Sequence, residues 1–402
     1  MTLCSMEEAI SDLQAGKFII VVDDEGRENE GDLVLPAEKV TPEAVNFMVT
    51  HAKGLLCMPM TEERLDELQI PLVSTEHTPT ALPTAFTVSI DYKKNTTTGI
   101  SAFDRSATIN ALIDPNCKPD DFARPGHLFP LRYHKGGVLM RPGHTEAIID
   151  LCNIGGLYPA GVVCEIMKDD GDMARMPDLE EFAQKHDLKI LSIAQLIAHR
   201  RRNETLIERV AEARLPSKYG EFKIVAYRSA VDPGEHIALT IGDWTENDPV
   251  LSRIHSECLT GDVFGSLRCD CGEQMDLALQ TLGQAGTGAL LYMRQEGRGI
   301  GLHNKIKAYS LQDTGLDTVD ANKQLGFDSD LRHYDIAAQM LLDLGIKKIR
   351  LLTNNPKKVV GLTGLGVEIV DRVEIEIPPN DENLDYLETK RSRMGHFLGS
   401  CS

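Results

Sequence analysis

The sequence predicts an α+β protein: two mixed α/β domains joined by a charged linker, the first Mg-dependent and the second zinc-dependent. Three observations predict it. The chain has 402 residues, too long for one ordinary core and enough for two domains of roughly 200 each. Short apolar runs of strand length are mixed with longer helix-like segments in no regular βαβ order, so the pattern does not support a Rossmann sheet. Metal-binding residue types gather in two distant places, an acidic loop at 23–32 and a cysteine trio at 258–271.

The elements of the first half follow in order. Ser5–Ala15 reads as a helix and Lys17–Asp23 as a strand. Thr41-Pro42-Glu43 opens a helix with a capping Thr and a Pro at its first position, and Gly54 stops it. Thr84–Tyr92 and His127–Tyr133 read as strands, His144–Ile154 as a helix closed by Gly155-Gly156, and Gly161–Met167 as a strand. Asp178–His186 and Ser192–Arg202 are helices. The stretch 203–216 loses apolar alternation and gathers charge, so it reads as the linker between domains 1–202 and 217–402. Arg200–Arg202 reads as a solvated helix end before it.

The second half restarts with strands Phe222–Ser229 and His236–Ile241. Glu273–Gln284 reads as a helix, and ALLYMRQ as a strand broken by Glu296-Gly-Arg-Gly-Ile-Gly301. Helical segments Asn304–Asp313, Val319–Leu325 and Tyr334–Leu344 precede the strand Lys348–Asn354, and Asn355-Pro356 opens a short helix. The tail after Pro378-Pro379 reads as polar and mobile.

Composition narrows the function classes. The net charge of −19 disfavours non-specific binding to nucleic acid or anionic membrane, while local basic pockets remain open to small anions. No stretch approaches the roughly 20 apolar residues of a membrane span. Nine cysteines at irregular spacing and an acidic N-terminus without a signal peptide predict a reduced, cytoplasmic protein.

In the acidic loop, Asp23-Asp24-Glu25-Gly26-Arg27-Glu28-Asn29-Glu30-Gly31-Asp32 follows an apolar strand. Six carboxylates in ten residues repel one another unless cations intervene, and hard oxygen ligands suit Mg²⁺. A solvated acidic turn is the plainer alternative. The EF-hand spacing is absent. A second cluster, Arg141-Pro-Gly-His144-Thr145-Glu146, sets a cation, an imidazole and a hydroxyl at a helix N-terminus, where phosphates bind through N–H groups and the dipole.

The trio Cys258, Cys269 and Cys271 has the form C-x10-C-x-C. Three protein thiolates leave the fourth zinc position open, as in catalytic zinc. Buried core thiols are the alternative. The charge density around them (Arg253, His255, Glu257, Arg268, Asp270, Glu273) argues against a core strand.

Together these motifs resemble known families. DDEGRENEGD (23–32), HAKGLLC (51–57), TTTGISAFDRSATI (96–109), GHLFPLR (126–132), RPGHTEA (141–147) and CEIMKDDG (164–171) are similar to 3,4-dihydroxy-2-butanone 4-phosphate synthase. RIHSECLTGDVFGSLRCDCG (253–272), QEGRGIGL (295–302), AYSLQD (308–313), DTVDAN (317–322), DLRHYDIAAQ (330–339) and LLTNNPKK (351–358) are similar to GTP cyclohydrolase II. The whole resembles the bifunctional riboflavin-biosynthesis family.

For the first half the resemblance implies conversion of ribulose 5-phosphate to the butanone phosphate plus formate. Glu28 and His144 would hold Mg²⁺ (or Mn²⁺), and Arg27, Asp32, Arg141 and Thr145 the substrate. His127 and Glu165 would serve the chemistry, Glu165 also touching substrate, with Cys57 nearby. For the second half it implies opening of the GTP imidazole ring with release of formate and pyrophosphate. Cys258, Cys269 and Cys271 would hold Zn²⁺. Arg253, Glu257, Gln274, Glu296, Arg298, Thr318, Thr353 and Lys358 would bind GTP, with Tyr309 lining the site. Asp330 would accept a proton, and Arg332 would attack the α-phosphate as nucleophile or clamp its oxygens. A homodimer is implied, with no nucleic-acid or membrane partner. His333 stands where an acidic residue is expected, between functional positions.

Three rival readings differ in testable ways. A zinc nucleobase deaminase needs H-x-E…P-C-x-x-C, whereas here the pair is C-x-C after Arg268. A zinc-stapled GTP-binding regulator would show no turnover. A Mg²⁺-dependent sugar-phosphate isomerase would keep five carbons in its product.

Overall fold

The computed structural model describes residues 3–73, 84–231, 234–327, 332 and 334–397. The chain divides into two compact units, Met1–Asn203 and Glu204–Ser402. No helix among the described residues is long and apolar enough to cross a membrane.

The first unit is built on strands β1 (Ile19–Val22), β2 (Gly31–Pro36), β3 (Cys57–Met60), β4 (Ile90–Tyr92), β5 (Phe122–Arg132), β6 (Gly161–Glu165) and β7 (Lys189–Ser192). They form one seven-stranded sheet in the order β4-β5-β3-β6-β2-β1-β7. β1 pairs β7 in parallel and β3 pairs β5 in parallel, while β2 runs antiparallel to both neighbours. Its helices are α1 (Met6–Gln14), α2 (Pro42–Phe47), α3 (Glu62–Glu67), α4 (Ala102–Ile113), α5 (His144–Ile154), α6 (Met176–His186) and α7 (Ile193–Asn203).

The sheet is buried on both faces. Ile20, Leu33 and Met58 join one core, and Ile19, Val21 and Val34 join the other with Ala147, Ile148 and Leu151 of α5. This explains why β1 reads as a continuous apolar run rather than an alternation. α1 starts on a capping box, with Ser5 Oγ accepting from Glu8 N and Ser5 N donating to Glu8 Oε2.

The second unit has β8 (Ile207–Ser217), β9 (Gly220–Ser229), β10 (Glu235–Ile241), β11 (Pro249–Ser256), β12 (Gly288–Met293), β13 (Lys348–Leu352) and β14 (Glu368–Val373). The sheet order is β14-β13-β11-β12-β10-β9-β8. β14, β13, β11 and β12 are mutually parallel, and β12, β10, β9 and β8 antiparallel. Helices α8 (Leu259–Asp262), α9 (Cys271–Ala285), α10 (Gly301–Gln312), α11 (Thr318–Gln324), α12 (Asp335–Asp343), α13 (Pro356–Leu362) and α14 (Leu384–Met394) complete it.

Several elements differ from the sequence reading. Residues 207–217, most of the expected linker, form β8, paired to β9 along its length. The apolar alternation is missing because β8 is a solvent-exposed edge strand, and charge protects such edges. The expected mobile tail contains α14, anchored by Leu387 (3% exposed) and by an ion pair of Lys390. The strand expected over Thr84–Tyr92 is confined to Ile90–Tyr92, because upstream residues pair elsewhere, Phe86 with Leu131 and Thr87 with Leu72. The helix from Thr41 turns π-helical over Met48–Ala52 before Lys53 ends it at φ 72°. Arg253 and His255 lie in β11, buried to 4% and 2% exposure, so part of the charged stretch is a core strand after all. Their polar heads are tolerated because each finds a hydrogen-bonding partner.

Candidate active sites in the two units

In the first unit the acidic loop joins β1 to β2. Asp23 organises it: its carboxylate accepts from Glu30 N at 2.8 Å, Glu28 N at 3.1 Å and Arg27 Nη1 at 2.8 Å. Arg27 Nη1 also lies 2.6 Å from Glu28 Oε2. Across from the loop, His144 begins α5, and ligand atoms of Asp23, Glu28 and His144 all lie within 4.8 Å of one another. His144 Nε2 is buried without a hydrogen-bond partner. Burial holds its pKa down to about 4, so the ring is neutral with a lone pair to give. A buried, unsatisfied imidazole nitrogen beside two carboxylates fits a divalent cation.

The β2–β6 register sets Asp32 directly opposite Glu165. Burial, then the Glu165 charge, pushes the Asp32 carboxyl well above the usual range, and its Oδ1 lies 3.7 Å from His144 Nδ1. Glu165 Oε2 accepts from Leu55 N at 2.9 Å. Cys57, on the neighbouring β3, is buried, and burial raises its thiol pKa far above the ordinary value.

At the head of α5, Gly143 offers no side-chain cap, which leaves first-turn N–H groups for an anion. Thr145 is buried there, and Arg141 donates to Glu146 Oε2 and Thr84 Oγ1, each at 2.7 Å. His127 stands in a separate pair on β5, its Nδ1 2.7 Å from Asp91 Oδ2. Gly99 (φ 97°) closes over that pair, where a Cβ would fall 2.1 Å from Asp91 Oδ2.

In the second unit the site lies beyond the carboxyl ends of the parallel strands β11, β12 and β13, where ligands bind in open α/β sheets. β11 delivers Glu257 and Cys258, β12 delivers Gln295–Arg298, and β13 delivers Thr353–Asn355. Cys269 and Cys271 flank the start of α9. Cys258 Sγ lies 3.6 Å from Cys269 Sγ, and all three sulfurs fall within 4.8 Å. A Cβ on Gly261 would sit 3.1 Å from Cys269 Sγ and 3.2 Å from Cys258 Sγ, so glycine lets α8 pack on the thiols.

Hydrogen bonds from the other two thiols, and Lys305 Nζ at 3.1 Å, hold the Cys258 pKa far down. The same sharing pushes Cys269 up to about 11 and Cys271 well above its ordinary value. Three thiolates therefore need a cation to coexist, and an all-sulfur set at this spacing fits zinc.

The remaining expected residues line the same cavity. Arg253 donates to Leu352 O at 2.8 Å and Gln274 Oε1 at 2.6 Å. Lys358 Nζ donates to Ile254 O at 2.6 Å, and Arg332 Nη1 reaches Ser256 Oγ at 3.5 Å. Glu296 is bound by Lys305 and by Leu259 N, both at 2.7 Å. Glu257, Arg298, Thr318, Thr353 and Tyr309 also face it. Asp330 lies outside the described residues.

Sequence reasoning missed several groups. Asp23 was named only as part of the acidic loop, although its place at the end of β1 was visible. Asp262 ties Cys258 to β11 and β12, accepting from Cys258 N and Tyr292 OH at 2.9 Å and contacting His255 Nε2 at 3.0 Å. Lys305 was passed over within a helix. Tyr386, Lys390 and His396 come from the tail.

Comparisons with known proteins identify the family. The 3,4-dihydroxy-2-butanone 4-phosphate synthase family profile matches residues 7–199, and that of GTP cyclohydrolase II matches residues 208–374. The chain is 57% identical over 398 residues to the riboflavin biosynthesis protein RibBA of Aquifex aeolicus, with 98% of each chain covered. It is 55% identical over 394 residues to the same-named protein of Bacillus mycoides, again with 98% of each covered. Among solved structures it is similar to RibBX, a two-domain 3,4-dihydroxy-2-butanone 4-phosphate synthase from A. baumannii. That match has 36% identity and a TM-score of 0.69, covering 91% of this chain and 99% of the other. The chain belongs to the bifunctional riboflavin-biosynthesis enzymes, which carry 3,4-dihydroxy-2-butanone 4-phosphate synthase (a lyase) and GTP cyclohydrolase II (a hydrolase) on one polypeptide.

Proposed function

We propose the following division of labour within the two sites, with synthase work in residues 1–202 and cyclohydrolase work from residue 204 onward, since β8 belongs to the second sheet. In the first unit Glu28 and His144, with Asp23 beside them, hold Mg²⁺ or Mn²⁺. Bound there, the ion supplies positive charge that polarises neighbouring oxygens of ribulose 5-phosphate. Arg141, Thr145 and the head of α5 hold the phosphate. Arg27 and Asp32 hold the sugar hydroxyls, and Asp32, kept protonated by burial, can donate a hydrogen bond. Glu165 and His127 move protons at the carbon skeleton, and Asp91 orients the His127 ring.

In the second unit Cys258, Cys269 and Cys271 hold zinc, which supplies Lewis acidity for hydrolysis of the guanine ring. Glu296, with Glu257 and Gln274, reads the base edge. Arg253, Arg298 and Lys358 hold the triphosphate, with Thr318 and Thr353 as hydroxyl donors. Asp330 accepts a proton, and Tyr309 lines the reacting end. Arg332 acts at the α-phosphate. A protonated guanidinium has no lone pair, so clamping the phosphate oxygens is the role its chemistry supports over nucleophilic attack.

The observation that carries this reading is the unsatisfied Nε2 of His144 in one unit matched by three converging thiols in the other. Formate release is the test. The full chain receives each substrate separately, with and without a chelator, and each metal is then added back. Restoration of ribulose 5-phosphate turnover by Mg²⁺ and of GTP turnover by zinc is expected. Full GTP turnover at zero bound zinc would overturn the zinc assignment. We propose in addition a cytoplasmic homodimer, checked by sedimentation of the full chain.

A further inference from the structure

The segment beyond residue 374 lies outside both family matches, yet part of it forms a wall of the second cavity. α14 is fastened at its start by Asn383 and Leu387, 0% and 3% exposed. It is fastened in its last turns by Lys390, whose Nζ lies 2.6 Å from Asp270 Oδ1. Asp270 sits between the two cysteines of the C-x-C pair and also accepts from Gln274 Nε2 at 2.6 Å. The helix stops on Gly395, at φ 68°, a left-handed conformation that favours glycine. That turn folds the chain back, and His396 N donates to Lys390 O at 3.1 Å. Phe397 N then donates to Asn354 O at 2.8 Å, with the Arg372 guanidinium 4.9 Å over its ring. His396 is thereby held on both sides by backbone anchors.

The wall consists of Tyr386, Lys390, Met394 and His396, and Arg298, Arg332 and Lys358 line the same cavity. We propose that His396 is a ligand of the substrate's polyphosphate, and that α14 with the turn at Gly395 completes the GTP cavity. The inference rests on this cavity being the GTP site. Burial, then Lys390, Arg298, Arg332 and Lys358, hold the His396 pKa down to about 3. A neutral imidazole among cations can donate to an anion from one ring nitrogen, and a polyphosphate offsets the repulsion among those cations.

Equilibrium binding to the zinc-loaded full chain tests it, using guanosine and a GTP analogue with methylene between its α- and β-phosphorus. His396→Ala is expected to weaken the analogue about tenfold or more, the scale of one hydrogen bond to a charged group. Guanosine binding and ribulose 5-phosphate turnover should be unchanged. Unchanged analogue binding would overturn the proposal. So would equal weakening of analogue and guanosine, which would make His396 a packing residue. If the Ala variant loses zinc or fold, His396→Gln takes the same measurement with the same criteria. Failure of the unaltered chain to bind the analogue would sink the cavity assignment itself, and this inference with it.

Discussion

The first unit gathers carboxylates, from buried Asp32 through half-buried Asp23 and Glu165 to exposed Glu28, around one imidazole, whereas the second gathers buried cations (Arg253, Lys305, Lys358, Lys390) in the cavity that holds three thiols. Both face the cost of packing like charges in a medium less polar than water. The first responds by raising the Asp32 pKa and by laying Arg27 across Asp23 and Glu28. The second responds with ion pairs, Lys305 to Glu296 and Lys390 to Asp270. Both still lack a cation among their candidate ligand atoms, and the second, with cations lining the rest of its cavity, also suits a polyanion. The surplus charge of a site thus points to the class of ligand it serves.

The comparison is most sharply tested by removing one metal set at a time. Cys269→Ser leaves two sulfur ligands, so GTP turnover should fall to background while ribulose 5-phosphate turnover persists. Metal analysis should show zinc lost. If both activities disappear in a folded protein, the two sites are not independent.

Glu28→Gln should do the reverse. Its loss in metal affinity should exceed the roughly 10–100-fold that changes outside the ligand set cost, read from the Mg²⁺ dependence of ribulose 5-phosphate turnover. An unchanged Mg²⁺ requirement would return the loop to a solvated acidic turn.

Arg141→Lys keeps the charge but loses the fork that reaches Glu146 and Thr84 together. KM for ribulose 5-phosphate should rise about tenfold, or 1.4 kcal/mol, with little change in the Mg²⁺ requirement. A shift in Mg²⁺ dependence instead would place Arg141 with the metal rather than the phosphate.

The smallest effect is salt. Raising it from about 0.1 to about 1 M shortens the Debye length from about 10 to about 3 Å. KM for GTP should rise several-fold, and more than KM for ribulose 5-phosphate, because a polyanion meets a more cationic site. Equal slopes would erase the contrast in sign.

How much of this was legible depended on whether the partners are local. α5 appears at its expected bounds, because glycines before and after it punctuate a periodic run. The acidic loop and the cysteine trio were legible because their chemistry is written in one short stretch each. β8 was not, since an exposed edge strand has no buried face to impose alternation. β11 was not, because Arg253 and His255 find partners such as Leu352 O and Asp262 only after folding. α14 was hidden for the same reason: Lys390 meets Asp270 across 120 positions.

Lys305 bridges Cys258 Sγ and Glu296 Oε1 with a single ammonium group. On the proposed assignment, the metal side and the base-reading side of the second site draw on one shared donor. Whatever changes the charge on the sulfur alters the cation's hold on the carboxylate. Such linkage is reciprocal by thermodynamic necessity: the factor by which zinc changes the affinity for GTP is the factor by which GTP changes the affinity for zinc. Where zinc tightens the hold on GTP, substrate acts in turn as a guardian of the metal and slows its loss to a chelator; where zinc loosens that hold, substrate hastens the loss by the same factor.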